Sequence, residues 1–268
     1  MAIDKITGVS WDSIANVSGV AKANIANFNG QDAPSAAGLV TTDLVFHIDP
    51  ADSSSYPGSG STIYDLVGST NGTLQGNASV DGNGHLILDG VNDAVNFGTV
   101  TSSTPVSVIG TSFSINCWVY NNGSGESFQT PFSQWSSSGN DRIEVLRVTS
   151  NGYIQSIVRD SGTSYSIVTN GTAGVATPLA ANTWYYYTWN YDSSTTTATI
   201  YFNASQIATK TTRTVSNVNK NFRTGSRGTN VGIQEWNGKL GAYHVYDRVL
   251  SSTEITQNYN ATKATYGL

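Results

Sequence analysis

Residues 111–120, TSFSINCWVY, alternate between two faces: Phe113, Ile115, Cys117 and Val119 on one, Ser114, Asn116, Trp118 and Tyr120 on the other. A period of two suits a strand with one face in a core, whereas a helix would scatter the same residues around its axis. Comparable segments recur as IEVLRVT (143–149), NGYIQSIVRD (151–160), SYSIVT (164–169), TWYYYTWNYD (183–192), TTATIYFNA (196–204) and KLGAYHVYD (239–247). Asn-Gly and Ser-Gly pairs between several of them are turn chemistry. One helix signal stands near the C-terminus: Ser251-Ser252-Thr253-Glu254 reads as a capping box, and Ile255 and Tyr259 follow at i, i+4. Many short strands with a single helix predict an all-β fold, a two-sheet antiparallel sandwich.

Composition supports a folded domain. Only 12% of the 268 residues are charged, but 14 Tyr, 8 Phe and 6 Trp provide ample buriable surface. The net charge of -5 is spread without a Lys/Arg cluster, which argues against nucleic acid or an anionic membrane as partner. No apolar run reaches the length of a membrane span, and the first 30 residues lack the apolar stretch of a signal peptide, so no membrane insertion is expected. The single cysteine, Cys117, sits in a strand pattern and reads as a buried structural thiol. Asn-x-Ser/Thr sequons at Asn16, Asn71, Asn77, Asn122, Asn170, Asn203 and Asn260 follow from the composition.

The N-terminus is repetitive. Ile6, Val17 and Phe28 recur every 11 residues, as do Gly8, Gly19 and Gly30. A period of 11 is compatible with a right-handed helical supercoil. Each repeat, however, contains a turn-prone Thr7-Gly8, Ser18-Gly19 or Asn29-Gly30, which favours short strands that change direction. Some 30 residues form no core alone, so Ile6, Val9, Trp11, Ile14, Val17, Val20, Ile25 and Phe28 are expected to meet another chain. The stretch QDAPSAAG (31–38) has linker composition, and residues 1–36 are read as an anchoring or oligomerisation arm before a domain at 37–268.

Within that domain, LVFHIDPADSSSYPGSGSTIYDLVGSTNGTL (44–74), LILDGVNDAVNFG (86–98), the two central strands above and NGKLGAYHVYDRVLSSTEITQNYNA (237–261) occur in a familiar order. Together they resemble the concanavalin A-like (laminin G-like, pentraxin-like) jelly rolls. The segment 44–74 is similar to the entry segment of laminin-G-like domains in bacteriophage structural proteins. The opening Gly-Val-x-Trp-x-x-Ile resembles N-terminal segments of tail and virion proteins of marine phages. The resemblance implies a jelly roll that hosts lectins, adhesins, enzymes and structural parts alike.

Glycosidases of this fold place two carboxylates on one strand as Glu-x-Asp-x-Glu. The four glutamates, at 126, 144, 235 and 254, form no such run, and the spacing of Asp141 and Glu144 puts them on opposite strand faces, so no enzymatic activity is expected. His47, His85 and His244 have no metal or triad spacing. In DGVND, Asp89 and Asp93 flank a tight turn: hard oxygen ligands there suit Ca²⁺, as in relatives, while capping of backbone amides is the other reading. Sugar binding calls for aromatic platforms beside polar partners. Tyr56, Trp135 and Trp236 stand in loop-like contexts with Asn140, Asp141 and Asn237 nearby; Trp184 and Trp189 fall in strands and read as core.

These readings combine into a non-enzymatic phage protein, made in the bacterial cytoplasm and sited on the virion surface as a fibre, decoration or adhesin component. Its lectin-like domain is expected to bind host or environmental glycans. Other virion proteins and copies of itself, a trimer being one arrangement, are the expected structural partners. The alternatives are a head or neck decoration that binds no sugar, and a glycan hydrolase.

Overall fold

A computed structural model of the chain describes residues 5–6, 9–10, 16–17, 20–21, 27–28, 31–32, 38–101, 104, 111–135, 142–149, 154–159, 165–169, 179–212, 220–228 and 232–268. The N-terminal strands are β1 (Lys5–Ile6), β2 (Val9–Ser10), β3 (Asn16–Val17), β4 (Val20–Ala21), β5 (Asn27–Phe28) and β6 (Gln31–Asp32). Next come β7 (Leu44–Ile48), β8 (Thr62–Ile63), β9 (Gly72–Gln75), β10 (Ser79–Val80), β11 (Leu86–Asp89), β12 (Ala94–Val100), β13 (Phe113–Asn121) and β14 (Phe128–Trp135). The remainder are β15 (Arg142–Thr149), β16 (Ile154–Arg159), β17 (Tyr165–Thr169), β18 (Trp184–Asp192), β19 (Thr197–Phe202), β20 (Ser205–Thr211), β21 (Lys220–Thr224) and β22 (Asn237–Tyr246). Helix α1 (Ser252–Thr262) and a 3₁₀ turn (Lys263–Tyr266) close the chain.

Two eight-stranded sheets form the sandwich. One runs β10-β11-β22-β13-β18-β19-β20, with β7 also paired to β22; the other runs β17-β16-β15-β14-β21-β12-β9-β8. The described pairings are antiparallel. Phe113, Ile115, Cys117 and Val119 lie in the core between the sheets, as their alternation predicts. Phe46, Phe97 and Phe222 pack there with ring centroids 4.5–5.3 Å apart, mixing edge-on and stacked contacts. Each such ring contributes roughly 1.5–3 kcal/mol by leaving water.

The outer face of β13 is buried as well, because the C-terminal segment lies across it. Trp118 is fully buried there; its indole donates to Thr262 Oγ1 at 2.9 Å and stacks on Tyr266 at 4.2 Å. The predicted capping box forms, with the Glu254 amide donating to Ser251 Oγ and the Ser251 amide to the Glu254 carboxylate. From the buried side of α1, Asn258 donates to the Tyr246 hydroxyl, which donates to the Val40 carbonyl. The same outer face carries His47 and His244, paired between β7 and β22 with ring centroids 4.6 Å apart. His244 is 1% exposed, and neither ring nitrogen has a hydrogen-bond partner among the described residues.

The 11-residue repeat resolves into three two-stranded antiparallel sheets, β1-β2, β3-β4 and β5-β6, so the strand reading holds and the helical one does not. Register sets Ile6 opposite Val9, Val17 opposite Val20, and Phe28 opposite Gln31. Trp11, Ile14 and Ile25 lie outside the described residues.

Candidate functional site

The loop after β7 and the turn after β10 flank an open surface cleft of about 410 Å³, lined by Pro50, Ala51, Tyr56, Gly58, Val80, Asp81, Gly82, Asn83 and Gly84. Its size falls in the range of small-ligand sites. Tyr56 packs against the core and is held by its hydroxyl, which donates to the Gly60 carbonyl at 3.3 Å. On the opposite wall, Asp81 organises the turn DGNGH: its Oδ1 accepts from the amides of Asn83 and His85, both at 2.9 Å. Its Oδ2 lies 3.2 Å from His85 Nδ1 and 3.1 Å from the Lys239 ammonium. Burial pushes this carboxyl up, but the His85 amide, Lys239, the Asn83 amide and the His85 ring outweigh it and hold it at about 2. Gly84 brings the two walls together: its φ is +75°, and a methyl there would overlap Ala51.

The groups open to a ligand are therefore the Tyr56 ring, the apolar surface of Ala51 and Val80, and the amide of Asn83. The Asn83 side chain is exposed and free of hydrogen bonds among the described residues. The turn after β10 is absent from the sequence-level reading, although DGNGH carries the signal: an Asp two residues before an Asn and flanked by glycines is Asx-turn chemistry.

The other candidates lie elsewhere. Trp236 has the loop context expected of an exposed aromatic, but it is fully buried in the core between the sheets and has no face to offer. Trp135 is partly exposed, with the Arg227 guanidinium 4.4 Å over its ring. Asn140 and Asp141 are outside the described residues. Asn237 ties loops together, its Oδ1 accepting from Asn122 at 2.9 Å and its Nδ2 donating to Ser124 at 3.2 Å. It pairs with Asp89 across β11 and β22, so Asn237 and the DGVND turn meet, away from the cleft lining.

At that turn, Asp89 Oδ1 accepts from the Val91 amide at 2.8 Å. Asp93, 2% exposed, accepts from the amides of Asn77 at 2.6 Å and Asp89 at 2.9 Å, one on each oxygen. Burial raises the Asp93 carboxyl, the two amides lower it, and the Asp89 carboxylate raises it again. Calcium takes six to eight oxygens. Three of the four carboxylate oxygens here already serve amides, and no group of three acidic, His or Cys side chains occurs among the described residues. The pair fits amide capping and does not fit a calcium cage.

On the second sheet, Glu144 is buried and forms an ion pair with Arg227 at 3.7 Å. Glu235, also buried, accepts from the amides of Gly232 and Ile233. Burial raises its carboxyl to about 7, against the two amides and Arg223, with Glu126 adding to the rise.

Residues 89–256 match the concanavalin A-like lectin/glucanases superfamily, of the laminin G type. The chain belongs to this superfamily. The cleft at 50–84 precedes the matched stretch. Solved structures similar to this chain in fold include Trypanosoma rangeli sialidase in complex with 2,3-difluorosialic acid, a covalent intermediate. That likeness has a TM-score of 0.64 and 13% identity, over 90% of this chain and 35% of the sialidase. The binding domain of botulinum neurotoxin DC in complex with SialylT is similar with a TM-score of 0.59 and 15% identity, over 82% of this chain and 51% of that domain's chain. The binding domain of botulinum neurotoxin serotype D gives 0.58 and 13%, over 81% and 51%. The chain thus spans about a third to a half of these structures. No curated protein matches the sequence.

The expectation of a non-enzymatic protein is corrected by the sialidases: this chain shares its fold with part of these enzymes, so the missing Glu-x-Asp-x-Glu strand excludes no activity. At 13–14% identity, the likeness shows the fold and carries no activity across. Among the described residues, no helix is long and apolar enough to cross a membrane.

Proposed function

We propose that the chain is a glycan-binding surface component of a bacteriophage particle, with the jelly roll at 37–268 displayed by the arm at 1–36. Its ligand in this reading is a cell-surface glycan, and its structural partners are other virion proteins and copies of itself. One observation carries the sugar-binding part: Tyr56 and an uncommitted Asn83 face a cleft of about 410 Å³, the pairing of aromatic surface with amide donors and acceptors that a pyranose requires. The superfamily match and a toxin binding domain solved with SialylT support it. The phage part rests on the resemblance of residues 44–74 and of the N-terminal repeat to phage structural proteins.

The test is a glycan array probed with the full chain, then with Tyr56→Ala and Asn83→Ala. Saturable binding to a subset of glycans is expected, weakened about tenfold or more by either substitution. EDTA should leave it unchanged, because Asp89 and Asp93 cap amides. A folded chain that binds no glycan would overturn the reading in favour of a decoration protein.

A further inference from the structure

We infer that the cleft selects a neutral 2-acetamido sugar, a hexose bearing an N-acetyl group, over the parent hexose and over charged sugars. This rests on the sugar-binding reading above and names the ligand class of the same site.

Three features of the wall chemistry point there. The lining has apolar surface beside its hydrogen-bonding group: Pro50, Ala51 and Val80 together with Asn83. Hydroxyl-bearing sugars have little use for an aliphatic patch outside the stacking platform, whereas an acetamido methyl requires one. A primary amide such as Asn83 offers both a donor and an acceptor, the complement of a secondary amide.

Charge supplies the third feature. Asp81 is the one ionised side chain in the lining, and its two oxygens are already met by two amides, His85 and the Lys239 ammonium. It therefore has little left to offer the ammonium of an unacetylated amino sugar. The Lys239 ammonium rests on Asp81, so no uncommitted cation lines the cleft to receive a sugar carboxylate. With Asp81 and Lys239 paired to each other, the lining offers an acidic sugar no free cation to replace the water it loses. Neutral polar and apolar groups remain, and an acetamido sugar matches both.

Calorimetric titration of the full chain with N-acetylglucosamine, N-acetylgalactosamine, glucose, galactose, glucosamine and N-acetylneuraminic acid tests this. At least one acetamido hexose should bind about ten- to a hundredfold more tightly than its parent hexose, and more tightly than glucosamine or N-acetylneuraminic acid. Val80→Thr, which keeps the shape but adds a hydroxyl to the aliphatic patch, and Asn83→Ala should each narrow that ratio, with the thermal midpoint of each variant confirming the fold. Parent hexoses binding as well as their acetamido forms, or a charged sugar binding best, would overturn the inference while leaving sugar binding intact. A ratio unmoved by both folded variants would overturn it too. Failure of every sugar to bind would remove the sugar-binding reading and this inference with it.

Discussion

Four donors converge on the Asp81 carboxylate, and that convergence shapes the cleft more than any contact a ligand makes. The turn it holds puts Gly84 against Ala51 in a backbone conformation that L residues rarely adopt. Gly84→Ala is therefore expected to destabilise the fold by about 1–3 kcal/mol, from strain and from wall displacement, as read by the urea midpoint. An unchanged midpoint would show that the walls separate freely. At this scale the sequence was partly legible. Tyr56 reaches a cleft as its loop context suggests, and Cys117 is buried and free as its strand position suggests. Trp236 misleads because QEWNG has loop composition, while burial depends on which face of a distant sheet the residue meets. Asp89 and Asp93 admit two chemistries in sequence, and only the positions of neighbouring amides separate them.

Among the elements, two buried titratable side chains, His244 on the first sheet and Glu235 ahead of β22, couple folding to pH. Burial holds the His244 imidazole well below its usual 6.5, and neighbouring His47 lowers it further. His47 is itself lowered by burial, against Asp49, Asp65 and Asp52. The unfolded chain takes up a proton at His244 where the native chain does not, so this residue's effect is absent above about pH 6.5 and costs stability below it. Glu235 acts in the opposite sense: with its carboxyl raised to about 7, the native state binds a proton that the unfolded state releases, and stability grows as pH falls from 7 toward 4.5. His244→Gln should therefore gain on the wild type below pH 6.5, and Glu235→Gln should lose the wild type's acid-side gain, each by up to about 1.4 kcal/mol per pH unit. Urea unfolding between pH 8 and 5 measures both; a pH-independent difference for either variant contradicts its assignment. Local signals did well for these elements: the capping box and strand alternation need only neighbouring residues. Burial of β13 on both faces was not legible, because the helix that covers Trp118 starts more than a hundred residues later.

For the whole molecule, the sandwich follows from many alternating segments with polar turns, and the order of those segments carried the superfamily resemblance. The pairing of loops that forms the cleft depends on sheet topology, which no local pattern encodes: β10 and β7 reach the same neighbourhood through β11 and β22. The arm belongs to this scale too. Its three hairpins stand apart from the two large sheets, and the proposed self-association through them is testable. Replacing Val17 and Val20 together by Asp should reduce the solution mass to that of one 28.4 kDa chain and leave the sandwich's unfolding midpoint unchanged. A wild type that is already monomeric in light scattering would contradict self-association.

The central claim is that the cleft between the loop after β7 and the turn after β10 holds a sugar. Amide chemical-shift mapping of the full chain during titration with the best glycan from the array addresses it directly, because it assumes no site in advance. The largest shifts are expected at Gly82, Asn83 and Gly84 and in the segment around Tyr56. Saturable shifts that cluster instead around Trp135 and Arg227, with residues 82–84 unmoved, would contradict the account.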